Sequence, residues 1–525
     1  MVSIHRFVRL LPAVTVLLFA WGAVAQSFRV QCPTSTAIHP LIGGAPNPSI
    51  KCQQISGGEG FATMGDGTQT YMFGFGQLSG LKDIVNALPG TQLASVFNAD
   101  NTVFGVGNIN IGDPQPGYGF NGAIGLVPDP ESDPPGQLTG HVDPRLIMDV
   151  GVMNASQPAP LFAIDEDDEF FLTLTNVGQV MRPDLFEQHT VHFHGYPNAS
   201  SFYDGVPDAS IAINIGGSFT YYYLAPEAGT YFWHCHISPP EHLQMGMVGQ
   251  IYVRPRQNRV TGDLGVALKA ANTVAAYGGT TGVTCNDILC TGQTPLPAGA
   301  NATTGATGVN GGGMYAYNDG DGSTRYDVEY PIQMMGFDPN FHFVGMTFNP
   351  ESFTDMKDKY FMLSGRSYPD TISPGTMQTQ STDGTLHSSQ PLPTIINIPA
   401  GGRALLRISD LSVTEFSTLA SLGIPMKVIG INARLLRDTA GNDMSYYTNS
   451  ITLGGGESLD VILDASGTNP DSTPKYPAGS KFYLYSPNLD HLSNDAENFG
   501  GMMTEVNICA SFDPTTKVWT GCPSI

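Results

Sequence analysis

A chain of 525 residues is too long for one ordinary domain, and with 41% hydrophobic and 10% aromatic residues it can fill more than one core. Only 13% of residues are charged, yet the formal charge is −23, which argues against nucleic acid and anionic lipid as partners. Abundant Gly (62) and Pro (39), with runs of Thr, Val, Ile and Tyr, argue against a helical bundle and for an all-β protein with long loops.

The chain opens MVSIHRFVRLLPAVTVLLFAWGAVAQ. Arg6 and Arg9 precede an apolar stretch of about a dozen residues, and Ala23-Val24-Ala25 follows it. This predicts a signal peptide over 1–25, cleaved before Gln26, and a secreted or periplasmic product. No later stretch is apolar enough to span a membrane. In an oxidising compartment an even set of cysteines is expected to pair, and proximity suggests Cys32–Cys52, Cys285–Cys290 and Cys509–Cys522. The seventh, Cys235, is left over. A lone thiol there needs something to hold it, and a metal does so.

Residues 27–58 read as a disulfide-tied lead-in, TQTYMFGFGQL (68–78) as a strand, and 88–143 as a long Gly-, Pro- and Asp-rich loop or insertion. Strand patterns follow at 145–153, 169–177, 189–195, 218–225, 229–236 and 246–255, separated by turn signals at the short intervals of a sandwich or barrel. They define a first domain, 26–257, with an N-terminal extension. The Gly/Thr-rich stretch 258–329 reads as a linker. Inside it, NDGDGSTRYD (318–327) resembles a calcium loop, but its glycine and last acid are misplaced, so an Asp/Gly turn is the better reading. Strands return at 360–369, 393–411, 425–437, 450–466, 480–488 and 500–508 and predict a second sandwich over 330–525. Sequons begin at Asn154, Asn198 and Asn301, and they matter only on a eukaryotic secretory route.

Six of the 12 histidines sit in QHTVHFHGYP (188–197) and FWHCHISPPEHLQMGM (232–247). In a strand, side chains alternate between faces. His192 and His194 then share one face and His189 takes the other. In WHCH, His234 and His236 share a face opposite to Cys235. Pairing of the two strands would give four imidazoles on one side and His189 with Cys235 on the other. A thiolate, two histidines and a weak axial methionine form the blue-copper ligand set, and His242 and Met247 follow Cys235 closely enough to complete it, with Met245 a weaker axial candidate. Imidazole-only sites suit copper or zinc with open positions for substrate.

HTVHFHG with HCHISPPEHLQMGM resembles the multicopper oxidases and their cupredoxin relatives, including copper nitrite reductases. The segments FYDGVPDASIAINIGGSFTYYY, INIPAGGRALLRISD and LGGGESLDVILDASG extend the likeness. The resemblance implies two Greek-key, cupredoxin-like β-sandwiches, the second without its own type 1 copper. Carried over by position, His189, Cys235, His242 and Met247 would bind the type 1 copper. His192, His194, His234 and His236 would belong to a type 2/type 3 centre, with Asp204 as a proton relay or else only a turn residue before Gly205. The donor would be a small molecule, a metal ion or a redox protein, and O2 the acceptor.

The chain departs from the family in one large respect. A complete trinuclear centre there uses eight histidines from four H-x-H elements, and this chain has two such elements. His342, His387 and His491 stand alone in the second domain. Completion across an oligomer interface, as in a homotrimer, is one expectation and a reduced centre the other; a nitrite reductase-like site would take its third histidine from a neighbouring second domain, with His342 and His491 as the candidates. The alternatives are a nitrite reductase-like enzyme and an electron carrier using only the type 1 site.

Overall fold

The computed structural model describes residues 30–99, 119–127, 144–196, 200–262, 314–345, 347, 352–382, 384–439 and 441–524. The signal segment, Cys285–Cys290, Asn198 and Asn301 lie outside them.

Two mixed sheets form the first sandwich. Its strands are β1 (Ile50–Thr63), β2 (Gln69–Gln77), β3 (Phe162–Asp165), β4 (Glu169–Asn176), β5 (His192–His194), β6 (Ser218–Leu224), β7 (Gly229–His234) and β8 (Val248–Arg254). One sheet runs β2-β1-β4-β6 and the other β3-β8-β7-β5, with β1 parallel to β4 and β3 parallel to β8. Alternation on β6 shows the cause: Phe219, Tyr221 and Tyr223 point into the core and Ser218, Thr220 and Tyr222 do not. Trp233 on β7 is stacked on Phe162 at 4.5 Å between the sheets.

The second sandwich comprises β9 (Val328–Phe337), β10 (Tyr360–Leu363), β11 (Ile396–Pro399), β12 (Arg403–Asp410), β13 (Ser417–Leu422), β14 (Met426–Ile431), β15 (Arg434–Leu435), β16 (Ser450–Leu453), β17 (Ser458–Asp464), β18 (Lys481–Tyr485) and β19 (Met503–Cys509). Its sheets run β10-β9-β12-β17-β14-β15 and β11-β19-β18-β13-β16. Ile332, Leu406, Val461, Leu484 and Val506 fill the space between them.

Several expectations need correction. The end of the lead-in is β1, a 14-residue strand paired on both sides. Residues 144–151 form a helix, not a strand: Leu146 and Val150, four apart, share a buried face while Met148 is exposed. The linker does not reach residue 329, because Ala316, Tyr317 and Tyr326 are already buried against the second sandwich. Asp319 organises that stretch as a turn. Its carboxylate accepts from the backbone N–H groups of Asp321, Gly322 and Thr324 at 2.7–3.1 Å and from Gln257 at 2.8 Å. Asn154 is buried and its side chain is held by Gln77, so it is no glycan acceptor in the folded chain. Disulfides join Cys32 to Cys52 and Cys509 to Cys522. No described helix is long and apolar enough to cross a membrane.

Candidate metal centres

Three elements meet at Cys235. Strand β7 ends at His234, so Cys235 and His236 lie just past it. A turn then leads into α1 (Pro239–Met245), started by Pro239 and Pro240 and closed by Gly246 at φ 124°. The helix brings His242 back over Cys235, with its Nδ1 3.3 Å from the sulfur. His189 is not in a strand but in an isolated bridge to Ile213. Gly57 of β1 makes room for it: a Cβ there would stand 2.7 Å from His189 Cδ2. One ligand atom each of His189, Cys235 and His242 falls within 4.8 Å of the others, and all three are buried.

Met247 is fully buried beside them, with its N–H donating to the His242 carbonyl and its carbonyl accepting from the Cys235 N–H. Met245 is buried in the same core.

Electrostatics favours a thiolate here. Burial opposes ionisation of Cys235, but His242 and His189 outweigh it and hold the thiol well below its ordinary pKa. Burial also works against a charged His242, yet the Cys235 thiolate and Glu187 push it up to about 10 in the metal-free chain. Burial lowers the pKa of His189. Glu187 lies 3.5 Å from His242 Nε2, the ring atom facing away from the sulfur. No pattern in the sequence marks Glu187, which sits in an irregular segment.

On the other side, β5 and β7 pair with His192 directly opposite His234. Ligand atoms of His192, His194 and His234 lie within 4.8 Å of one another. Their rings are oriented from behind. His192 Nδ1 is 2.6 Å from the Asp204 carbonyl and 3.4 Å from its carboxylate. His234 Nδ1 donates to the Cys235 carbonyl at 2.7 Å. Donation through Nδ1 leaves Nε2 bare on both rings, as metal ligation requires. Burial pulls His234 down to about 3, which leaves it neutral at ordinary pH, and also lowers His194. His236 is outside the group of three, with its ring centred 5.1 Å from that of His192.

The lone histidines of the second domain do not join this group. His342 lies between carbonyls, Nδ1 2.7 Å from Tyr71 and Nε2 2.8 Å from Gln244, and is stacked on Phe337. His387 Nε2 meets Ser381, and His491 Nε2 meets Glu415. Within one chain, neither His342 nor His491 reaches this group; the expected donation is from a neighbouring copy.

Copper fits the residues present. His189 is fully buried, and apart from the Cys235 sulfur its ring nitrogens have no hydrogen-bond partner; leaving such a group unpaired costs about 1–3 kcal/mol unless a metal takes the lone pair. A buried thiolate among imidazoles is a soft donor set that suits copper.

Two cupredoxin-like sandwiches thus carry a cysteine–histidine group backed by a histidine group, each of which could hold a metal ion. Residues 140–258 match the multicopper oxidase family, under a quarter of the chain. Over 109 residues it is 33% identical to laccase abr2 of Aspergillus fumigatus, a match covering 20% of this chain and 17% of that one. Over 114 residues it is 33% identical to a copper-containing nitrite reductase of Rhizobium meliloti, covering 21% and 27%. The chain thus spans well under a third of each relative's length. The solved multicopper oxidase mgLAC aligns over 87% of this chain and 85% of its own, at 16% identity and a TM-score of 0.46.

Proposed function

We propose that the chain is an exported copper oxidoreductase of multicopper oxidase type. His189, Cys235, His242 and Met247 hold a type 1 copper. His192, His194 and His234, with His236 beside them, hold a second copper centre. Copper, when bound, supplies one-electron redox chemistry, taking electrons from a small-molecule, metal-ion or protein donor and delivering them to O2. Reduction of O2 to two waters consumes four electrons and four protons, so donors are used singly and in succession.

The observation that carries this reading is the back-to-back placement of the two groups on one peptide. Cys235 follows His234 directly, and the His234 ring donates to the carbonyl of Cys235 itself at 2.7 Å. A covalent path and a hydrogen bond thus run from the thiolate to the histidine face. Asp204 orients His192 through its carbonyl and keeps its carboxylate close enough to hold a proton for the acceptor. The predicted signal segment and the Cys32–Cys52 and Cys509–Cys522 disulfides support export.

A nitrite reductase-like reading has one observation in its favour: three histidines, not eight, are gathered on the second face. Nitrite needs one electron and two protons to give nitric oxide and water. Metal analysis with optical and EPR spectroscopy tests the assignment. Wild type is expected to hold more than one copper per chain, with a blue band near ~600 nm of the thiolate–copper type. Cys235→Ser is expected to abolish that band and keep the second signal. A band that survives removes the ligand assignment. A single copper per chain reduces the protein to a carrier.

A further inference from the structure

The second sandwich of the same chain closes over the histidine face. A cleft of about 440 Å³ lies between the two, with His194, His234 and Leu243 on one wall and Thr414, Glu415 and Gly456 on the other. Contact is close. Gly456 has φ +91°, and a Cβ on it would sit 3.2 Å from His194 Nε2, so the loop after β16 leaves no room for a side chain there.

Among the described residues, Glu415 is the sole ionisable one that the second sandwich brings to this lining. It is held in an unusual way. His491 Nε2 lies 2.9 Å from Glu415 Oε2. The His491 ring is buried and stacked on Phe361 at 3.8 Å and 12°. Its Nδ1 is buried without a partner, so the tautomer that makes sense donates from Nε2 to the carboxylate. Glu415 itself is half-exposed to the cleft. The hydrogen bond by itself contributes only about 1 kcal/mol to stability, little for a buried histidine committed wholly to a half-exposed carboxylate. What the pair does achieve is aim: a fixed ring holds one carboxylate toward the space in front of His194 and His234.

We propose that this cleft binds the small oxygen-bearing ligand that meets the histidine-held copper, and that Glu415, aimed by His491, is the second sandwich's contact to it. The carboxylate lines the cleft opposite His194 and His234 and accepts a hydrogen bond from a ligand that carries O–H. A bare anion meets a like charge instead. On this reading a single chain is sufficient and no neighbouring copy supplies the missing half. The inference rests on the copper reading of His192, His194 and His234.

Azide, a small anion, is the probe, titrated into the copper-loaded full-length protein and followed by its charge-transfer band and by the EPR signal of the histidine-held copper. Glu415→Gln and Glu415→Ala remove the charge, and both are expected to bind azide about five- to tenfold more tightly, the size of a like-charge contact across a partly solvated cleft. Glu415→Asp restores the charge and is expected to stay within about twofold of wild type. The blue band, on the far side of Cys235, is expected to be unchanged in all three and reports that they are folded. Azide affinities of the Gln and Ala variants within twofold of wild type overturn the proposal, as does an Asp variant that binds as tightly as they do. A wild type with no histidine-held copper signal fails earlier and differently: it overturns the copper reading itself.

Discussion

Gly57 shows how a single position sets the group around Cys235. It lies on β1 between Phe75 of β2 and Asn176 of β4, so its backbone is tied on both sides. His189 is fully buried against it. Gly57→Ala is expected to push the imidazole away from Cys235, at a cost of about 1–3 kcal/mol for overpacking. Blue absorbance per chain is expected to fall, and the denaturant midpoint with it; unchanged values for both refute the constraint. The histidines are the part of the site that alternation makes legible: His192 and His194 share one face, and the pairing of their strand with β7 then sets His192 opposite His234. His236 departs because β7 ends two residues before it. Gly57, Glu187 and Glu415 are invisible at this scale. Their roles come from what lies across space, with no periodic pattern around them.

Elements carry these residues, and here local reading fails for identifiable reasons. ISGGEGF (55–61) looks like a loop, yet it is the middle of β1 because its glycines admit close neighbours on both faces. A Cβ at Gly58 would meet Val177 at 2.8 Å, and one at Gly60 the Ala155 carbonyl at 3.1 Å. RLIMDVGVM looks like a strand because apolar residues crowd it, and Leu146 with Val150 decides for a helix. Helix α1 was hidden by its two prolines, although prolines at a first turn are helix starters. Its placement depends on the second sandwich through His342, which spans from the Tyr71 carbonyl on β2 to the Gln244 carbonyl on α1. A neutral ring donates to only one of them, and burial holds its pKa down to about 4. His342→Leu is expected to cost about 2–4 kcal/mol, from a lost buried hydrogen bond and a poorer stack on Phe337. With α1 loosened, copper dissociates faster from the His242 group than from the histidine face. Stop-flow chelation that follows the blue band and the second EPR signal separately tests this, and equal rates of loss refute it.

At the scale of the whole molecule, two sandwiches were legible from spaced strand patterns, but their joint was not, since it pairs residues far apart in sequence. Arg254 of β8 meets Glu329 of β9, which also holds Arg407 of β12. Burial works against the charge on Glu329, yet the two guanidinium groups outweigh it and hold its pKa at about 2. Asp460 on β17 accepts from Thr230 on β7 at 2.7 Å. A third joint is Asp358, whose carboxyl takes Gln244 of α1 at 2.8 Å and Thr414 of the cleft wall at 2.8 Å. It links the helix bearing His242 to the loop bearing Glu415. Burial raises Asp358 to about 6, against these hydrogen bonds. A carboxyl raised in the folded state holds its proton there while the unfolded chain has released it. Its contribution is therefore full below the unfolded value near ~4 and is lost as pH rises through about 6. Asp358→Asn carries no such proton. Wild type is expected to gain stability relative to this variant as pH falls from 7 to 4, by about 1–3 kcal/mol. Denaturant midpoints of the two proteins across that range measure the difference directly. The comparison cancels the opposing titration of His234 and His342, which both proteins share. A difference that stays flat, or grows with rising pH, means that Asp358 is ionised in the folded joint and that burial does not govern it.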